Sequence, residues 1–286
     1  MTEIINFKAK DGMFLDGFIN KCGNETKKIL IQVHGMTSNC FTSRNRIIAK
    51  ELENIKVDVL SFNNRGSDLA KYIKSDTKRI IGGTTFENIK DCYYDIVGAI
   101  ECVLNLGYEE IYLQGHSLGS TKVVYTYNKL KEEKNPIIKN IKAVVLLSLV
   151  DIAGVVRFGT SEKYIRFAIK KEKKNETIDI MPLESFIHPV SVKTFLQYTR
   201  DNKDFDFARY DYPDDKFKIL NDIQAPLFMR WGNVNEMIKQ DAKDLVEFMN
   251  TKINNPNKDI GYIDGADHNY HGKEEELAKQ IKDFLK

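Results

Sequence analysis

The sequence predicts an α/β protein: a mostly parallel central sheet flanked by helices, with one inserted helical cap. Three features predict it. Short β-branched runs alternate with longer stretches of helical periodicity, the pattern of right-handed βαβ units. Runs such as Ala143-Val144-Val145-Leu146-Leu147 are apolar throughout, as suits strands covered on both faces. The rhythm then stops between Asp151 and Ala225, where apolar positions are scattered and no strong strand is seen.

Taken in order, Met13 to Ile19 reads as an early strand. Lys28 to Val33 is a short β-branched run ending in His34-Gly35, and Phe41 to Ile55 carries Ile47, Ile48, Leu52 and Ile55 at helical spacing. Val57 to Phe62 alternates and ends in the turn signal Asn63-Asn64-Arg65-Gly66. Phe86 to Leu106 is the clearest helix: Phe86, Ile89, Tyr93, Ile96, Val97, Ile100, Val103 and Leu104 recur at three- and four-residue steps, and Gly107 stops it. Glu110 to Gly115 is a strand, Leu118 to Lys131 a helix, and Ile141 to Leu149 a buried strand. Ala225 to Trp231 and Asp259 to Ile263 are two further strands, each followed by a helical pattern, Glu236 to Met249 and Gly272 to Leu285. The core is therefore assigned to residues 1–151 and 225–286, and the cap to 152–224. Aromatic residues in the cap, among them Phe186, Phe195, Tyr198 and Tyr210, favour a packed element over a loose excursion.

Composition removes several classes of function. Lys and Arg number 43 against 41 Asp and Glu, a net charge of +2, which leaves no cationic excess for binding nucleic acid through its phosphates. The longest apolar run, Ala143 to Val150, is far short of the ~20 residues that a membrane helix needs. No basic and apolar leader is visible at Met1 to Lys8, and the four cysteines form no CxxC pair, so free thiols in a reducing cytoplasm are expected. No Cys/His spacing suits zinc, and His268-x-x-His271 lacks a carboxylate at ligand spacing. Neither metal nor cofactor is expected.

The chemistry is concentrated in Gly115-His116-Ser117-Leu118-Gly119, a G-x-S-x-G pattern with a strand running into it and a helix leading out. In so tight a turn, side chains two before and two after the serine would collide. Gly115 and Gly119 remove that collision and leave Ser117 exposed in a strained conformation. A plain strand–helix turn with a capping serine is the other reading. A serine hydroxyl needs a base to take its proton. Of five histidines, His268 stands in Gly265-Ala266-Asp267-His268-Asn269-Tyr270, after the last strand, and such loops converge on one edge of a parallel sheet. His271 is a rival by position. Acyl transfer also needs two backbone N–H donors for the developing oxyanion: Leu118, just after the nucleophile, and Met36, in the loop after Val33-His34-Gly35.

With these segments, together with Phe86-Glu87 and Asp91 to Ile96, the chain from about Ile29 onward resembles the α/β-hydrolase superfamily. The resemblance is to the branch that includes fungal siderophore-esterase-like proteins and uncharacterised bacterial and plant hydrolases. It implies the α/β-hydrolase fold, Ser117 as nucleophile, His268 as base, and the chain order nucleophile, acid, histidine. The family usually places an aspartate two or three residues beyond a glycine in the loop after the strand that follows the cap. Here that loop reads Trp231-Gly232-Asn233-Val234-Asn235-Glu236, with Asn235 at the expected position. Glu236 is the first candidate for the acid, Asp151 the second, and Asn235 or no true acid the third. Glu236 reads equally as a first-turn residue favoured by a helix dipole.

The function expected is a serine hydrolase cleaving an ester or related acyl bond through an acyl-enzyme. Amidase or acyltransferase chemistry uses the same machinery, and a non-catalytic small-molecule-binding relative is the alternative. The mixed aromatic and basic character of the cap, with Lys170-Lys171-Glu172-Lys173-Lys174, makes the expected partner a small-molecule acyl substrate, medium-sized, partly apolar and anionic, with no nucleic-acid or membrane partner. The oligomeric state is open.

Overall fold

The computed structural model describes residues 1–199 and 204–286, with backbone alone for 156–158; residues 200–203 of the predicted cap lie outside the described residues. Eight strands form one sheet: β1 (Thr2–Lys8), β2 (Phe14–Asn20), β3 (Lys28–Val33), β4 (Asp58–Phe62), β7 (Glu110–His116), β8 (Ile141–Leu147), β9 (Leu227–Gly232) and β10 (Lys258–Ile263). Their order is β1-β2-β4-β3-β7-β8-β9-β10. β2 pairs antiparallel with β1 and with β4, and from β4 to β10 every pairing is parallel. A separate ribbon pairs β5 (Lys71–Lys74) with β6 (Arg79–Gly82).

Strand residues alternate between two cores. Leu30, Val59, Tyr112, Val145 and Phe228 face α1 (Ser43–Leu52) and α9 (Glu274–Leu285), through Ile48, Leu52, Leu277 and Ile281. Ile29, Ile31, Leu113, Val144 and Met229 face α2 (Cys92–Asn105), α3 (Leu118–Glu132) and α8 (Ala242–Lys252), through Val97, Ile100, Val123 and Leu245. Burial on both faces explains the continuously apolar strands. Truncating one of these side chains to alanine is expected to cost about 2–5 kcal/mol.

Among the described residues between β8 and β9 stand four α-helices: α4 (Ile152–Gly159), α5 (Glu162–Glu172), α6 (Val192–Thr199) and the single turn α7 (Lys218–Asn221). Phe195 and Tyr198 are buried, and Phe186 stacks on Tyr198 at 5.5 Å. Ile152, Tyr198 and Phe205 share a cluster with Leu118, against which Met36 packs. The segment thus lies over the loops at the carboxyl edge of the sheet.

Two predicted helices begin later than periodicity suggests. The segment expected from Phe86 becomes regular α-helix only at Cys92. Upstream, backbone groups are taken by α6: Thr194 Oγ1 donates to the Thr85 and Glu87 carbonyls, Gln197 Nε2 donates to the Glu87 carbonyl, and the Ile89 N–H donates to Gln197 Oε1. The helix expected from Glu236 starts at Ala242, capped by Asp241, which accepts from the Lys243 N–H. Residues 236–240 remain a loop because Glu236 is bonded elsewhere.

Candidate active site

Ser117 stands between β7 and α3 with φ 54° and ψ −125°, outside the regions that L-residues favour. A Cβ on Gly115 would lie 2.4 Å from the Gly119 carbonyl oxygen, and one on Gly119 would lie 2.2 Å from the Val33 carbonyl oxygen. Nothing larger than hydrogen fits either place. The turn is tied to β8: the Ser117 N–H donates to the Leu147 carbonyl at 2.8 Å, and Ser120 Oγ donates to the same oxygen at 2.9 Å.

Ser117 and His268 line one cavity of about 350 Å³, together with Met36, Leu118, Ile152 and His188. Nδ1 of His268 is hydrogen-bonded to Oε1 of Glu236. The Glu236 side chain is 2% exposed and that of His268 15%. The glutamate carboxylate collects three further donors: the Gly232 N–H at 3.0 Å, the Ser148 hydroxyl at 2.7 Å and the Met237 N–H at 2.9 Å. Burial by itself would raise its pKa. The bonds from His268, Gly232 and Ser148, and the nearby imidazole charge, outweigh burial and hold it below the ordinary carboxylate value.

The other acid candidates point elsewhere. Asp151 accepts the Gly154 N–H at 2.7 Å and so closes the first turn of α4. Asn235 occupies a left-handed turn with φ 50°. His271 is exposed and bonded to Asp267 at 2.7 Å, one helical turn away in sequence.

Residues not singled out by sequence complete the setting. Ser148, at the end of β8 with φ 44°, also reaches the His268 carbonyl (3.2 Å) and the Tyr270 hydroxyl (3.0 Å). Tyr270 is fully buried and donates to the Arg230 carbonyl at 2.8 Å. His116 also lines the cavity, packs at 5.1 Å against the His268 ring and donates from Nε2 to the His268 carbonyl at 2.8 Å. Burial, with the charge of Arg44, pushes the His116 pKa well below 6.5, so the ring stays neutral. Ser148 sits in an apolar run and Tyr270 in a loop, and only the histidine character of His116 was a visible signal.

The two backbone donors expected from the sequence, at Leu118 and Met36, line the same cavity. Leu118 is the first residue of α3, so its N–H has no acceptor within the helix. His34 Nδ1 donates to the Gly35 carbonyl at 2.9 Å, while Nε2 accepts the Asn64 N–H at 3.2 Å. Holding that carbonyl turns the Met36 N–H to the opposite edge of the trans peptide. Burial and the Lys122 charge lower the His34 pKa to about 3, which keeps the ring neutral, and the two bonds then set its tautomer. Lys122 is itself fully buried, bonded to Glu87 at 2.5 Å and to Asn64 Oδ1 at 3.2 Å.

The connections that leave six parallel strands at this edge each hold a non-glycine residue at positive φ: Thr37 (55°) after β3, Asp68 (61°) after β4, Ser117 after β7, Ser148 after β8, Asn235 after β9 and Tyr270 (64°) after β10. Among the described residues no group of three His, Cys, Asp or Glu is placed to hold a metal ion, and no helix is long and apolar enough to cross a membrane.

Comparison with known proteins agrees with this architecture. The chain is similar to Est1E from Butyrivibrio proteoclasticus, solved with ferulic acid bound: 17% identity, 98% of this chain and 97% of that one, TM-score 0.65. It is similar to the alpha/beta hydrolase GrgF from Penicillium sp. sh18 at 13% identity over 100% and 98% of the two chains, TM-score 0.70. It is also similar to the Pyrococcus furiosus esterase Pf2001, at 18% identity over 100% and 90%, TM-score 0.62. No curated protein sequence matches. At these identities the likeness is one of fold. Sheet order, helix layers and structural likeness make this an α/β-hydrolase fold, and the chain, matched over residues 88–286, belongs to the family described as Protein of unknown function (DUF1749).

Proposed function

We propose that the protein is a serine hydrolase that cleaves an ester or related acyl bond through an acyl-enzyme. One observation carries the reading: His268, bonded at Nδ1 by a buried carboxylate, lines the same cavity as a serine held in the strained conformation of a nucleophile elbow. The esterases among the structures of the same fold support the reaction class.

In this reading Ser117 Oγ attacks the substrate carbonyl as His268 Nε2 takes its proton. Glu236 keeps the Nδ1–H tautomer and stabilises the imidazolium that forms. The N–H groups of Leu118 and Met36 stabilise the oxyanion, each worth on the order of 10²–10³ in rate. His268 then protonates the leaving group, and a water that it activates releases the acid. Residues 152–224 act as the cap, through Ile152, Ile187 and His188 on the cavity wall.

The test is labelling by a fluorophosphonate, with peptide mapping, beside turnover of a panel of p-nitrophenyl esters, anilides and thioesters. Labelling at Ser117 that disappears in Ser117→Ala, with ester turnover, supports the proposal. The panel separates esterase from amidase and thioesterase. No labelling and no turnover would leave a fold that binds its ligand without cleaving it.

A further inference from the structure

A second cavity of about 310 Å³ lies beside the one that holds Ser117, and Met237 lines both. Its other walls include Gly154, Val155 and Gly159 of α4, with Tyr210 and Ile238. Met237 is anchored by its backbone, since its N–H donates to Glu236, and it is the residue common to the two cavities. An unbranched thioether with three rotatable bonds is the cheapest partition to move aside.

The polar groups of the second cavity are already engaged. Asp151 accepts the Gly154 N–H at 2.7 Å, and Asp211 pairs with Lys239 at 3.3 Å. Gln240 donates to the Tyr210 carbonyl at 2.9 Å, and the Tyr210 hydroxyl donates to the Leu149 carbonyl at 2.8 Å. A polar occupant would meet groups that already hold partners. An apolar occupant displaces only water from Val155, Ile238 and the faces of Met237 and Tyr210. The α4 side is open, because a Cβ on Gly159 would meet nothing within 4 Å. If a methylene takes roughly the 30 Å³ of a water in the liquid, the space holds on the order of ten such groups.

We propose that this cavity is the acyl-tail site. The ester carbonyl is presented to Ser117, and an unbranched aliphatic tail of medium length passes Met237 to lie against α4. This rests on the hydrolase reading and specifies its substrate: a medium-chain aliphatic acyl ester.

The test is the chain-length profile of p-nitrophenyl esters from acetate to dodecanoate, read within each protein as the ratio of kcat/KM for octanoate to that for acetate. Wild type should favour octanoate by tenfold or more. Gly159→Phe, which fills the cavity from α4, should lower that ratio at least tenfold. Met237→Ala, which shortens the partition, should move the optimum to longer chains, and it tests the tail site independently if the first variant fails to fold. A wild-type optimum at acetate, or ratios unchanged in both variants, would overturn the tail site while leaving the hydrolase reading intact. If Ser117 is not labelled and no ester is turned over, the hydrolase reading falls, and the tail site falls with it.

Discussion

Glu236→Gln is the substitution that bears most directly on the proposed mechanism. Four donors end on this carboxylate, from His268, Gly232, Ser148 and Met237. Glutamine has one oxygen for them. With that oxygen at the Oε1 position, His268 and Met237 keep their acceptor, but the amide NH₂ faces the Gly232 N–H. The Ser148 hydroxyl can rotate and still donate to the His268 carbonyl at 3.2 Å. One buried donor is then left unsatisfied, at about 1–3 kcal/mol. The larger effect is catalytic. Replacing the triad carboxylate by an amide in a serine protease costs about 10⁴ in kcat, which is about 5.4 kcal/mol at 1.36 kcal/mol per decade. Expected here are a kcat lower by about 10³–10⁴, a KM changed only a few-fold, and a midpoint of thermal unfolding lower by several degrees. Asp151→Asn is the control. Its carboxylate caps α4, asparagine caps nearly as well, and kcat on the acetate ester, too short to reach the second cavity that Asp151 lines, should stay close to wild type. Steady-state kinetics on the best ester of the panel, with thermal melts of each variant, decide the matter. A Glu236→Gln enzyme retaining a tenth of its kcat, or a larger loss in Asp151→Asn, would refute the assignment.

Ser117→Ala should abolish turnover while its melting curve stays close to wild type; half-activity would show that the nucleophile lies elsewhere. His268→Ala should lose nearly all turnover and His271→Ala little, since His271 bonds only Asp267 at the surface; the reverse result would move the base to His271. His34→Gln removes the ring that holds the Gly35 carbonyl and should lower kcat by about 10²–10³ with KM little changed; a loss confined to KM would speak against a role at the oxyanion donor. Stability should fall as the pH drops below about 6.5, because the unfolded chain then protonates His34 and His116. The folded chain does not protonate His34 until about pH 3. Each histidine contributes a slope of about 1.4 kcal/mol per pH unit. Glu236, lowered in the fold, acts in the same direction at more acid pH. Urea unfolding at pH 7, 6 and 5 should show a shallower slope in His34→Gln, and equal slopes would contradict the buried-neutral state.

The sheet was legible because its parallel strands are buried on both faces, and burial is what hydrophobic periodicity reports. β1 was not, because Ile4 is 85% exposed and the strand is held by backbone pairing to β2. The β5–β6 ribbon left no signal for a similar reason, with Tyr72 and Ile81 facing solvent. The late starts of α2 and α8 were invisible because hydrogen bonds from distant segments, not local propensity, decide them. The elbow and its glycines were readable because the steric demand is local. Whether Glu236 or Asp151 would meet His268 was not. Both stand at carboxyl ends of strands, and the loop path that brings Glu236 to Nδ1 depends on Ser148 and Gly232, which carry no motif.

The six positive-φ residues at the carboxyl edge have a consequence for how this protein can be made more robust. A positive φ costs Thr37, Ser148 and Tyr270 on the order of 1–2 kcal/mol each, roughly 3–6 kcal/mol together, comparable with the net stability of a marginal domain; Asp68 and Asn235 are residue types that tolerate it, and Ser117, at ψ −125°, is strained in a different region. Glycine at Thr37 would relieve local strain and is expected to raise the melting point, but it would also free the turn beside Met36. In the proposed hydrolase, heat tolerance and alignment of the oxyanion donor therefore compete at the same peptide units. Stabilising substitutions that leave the chemistry alone belong on the far faces of α1, α8 and α9, where helix propensity and surface charge can be improved without moving a strand end.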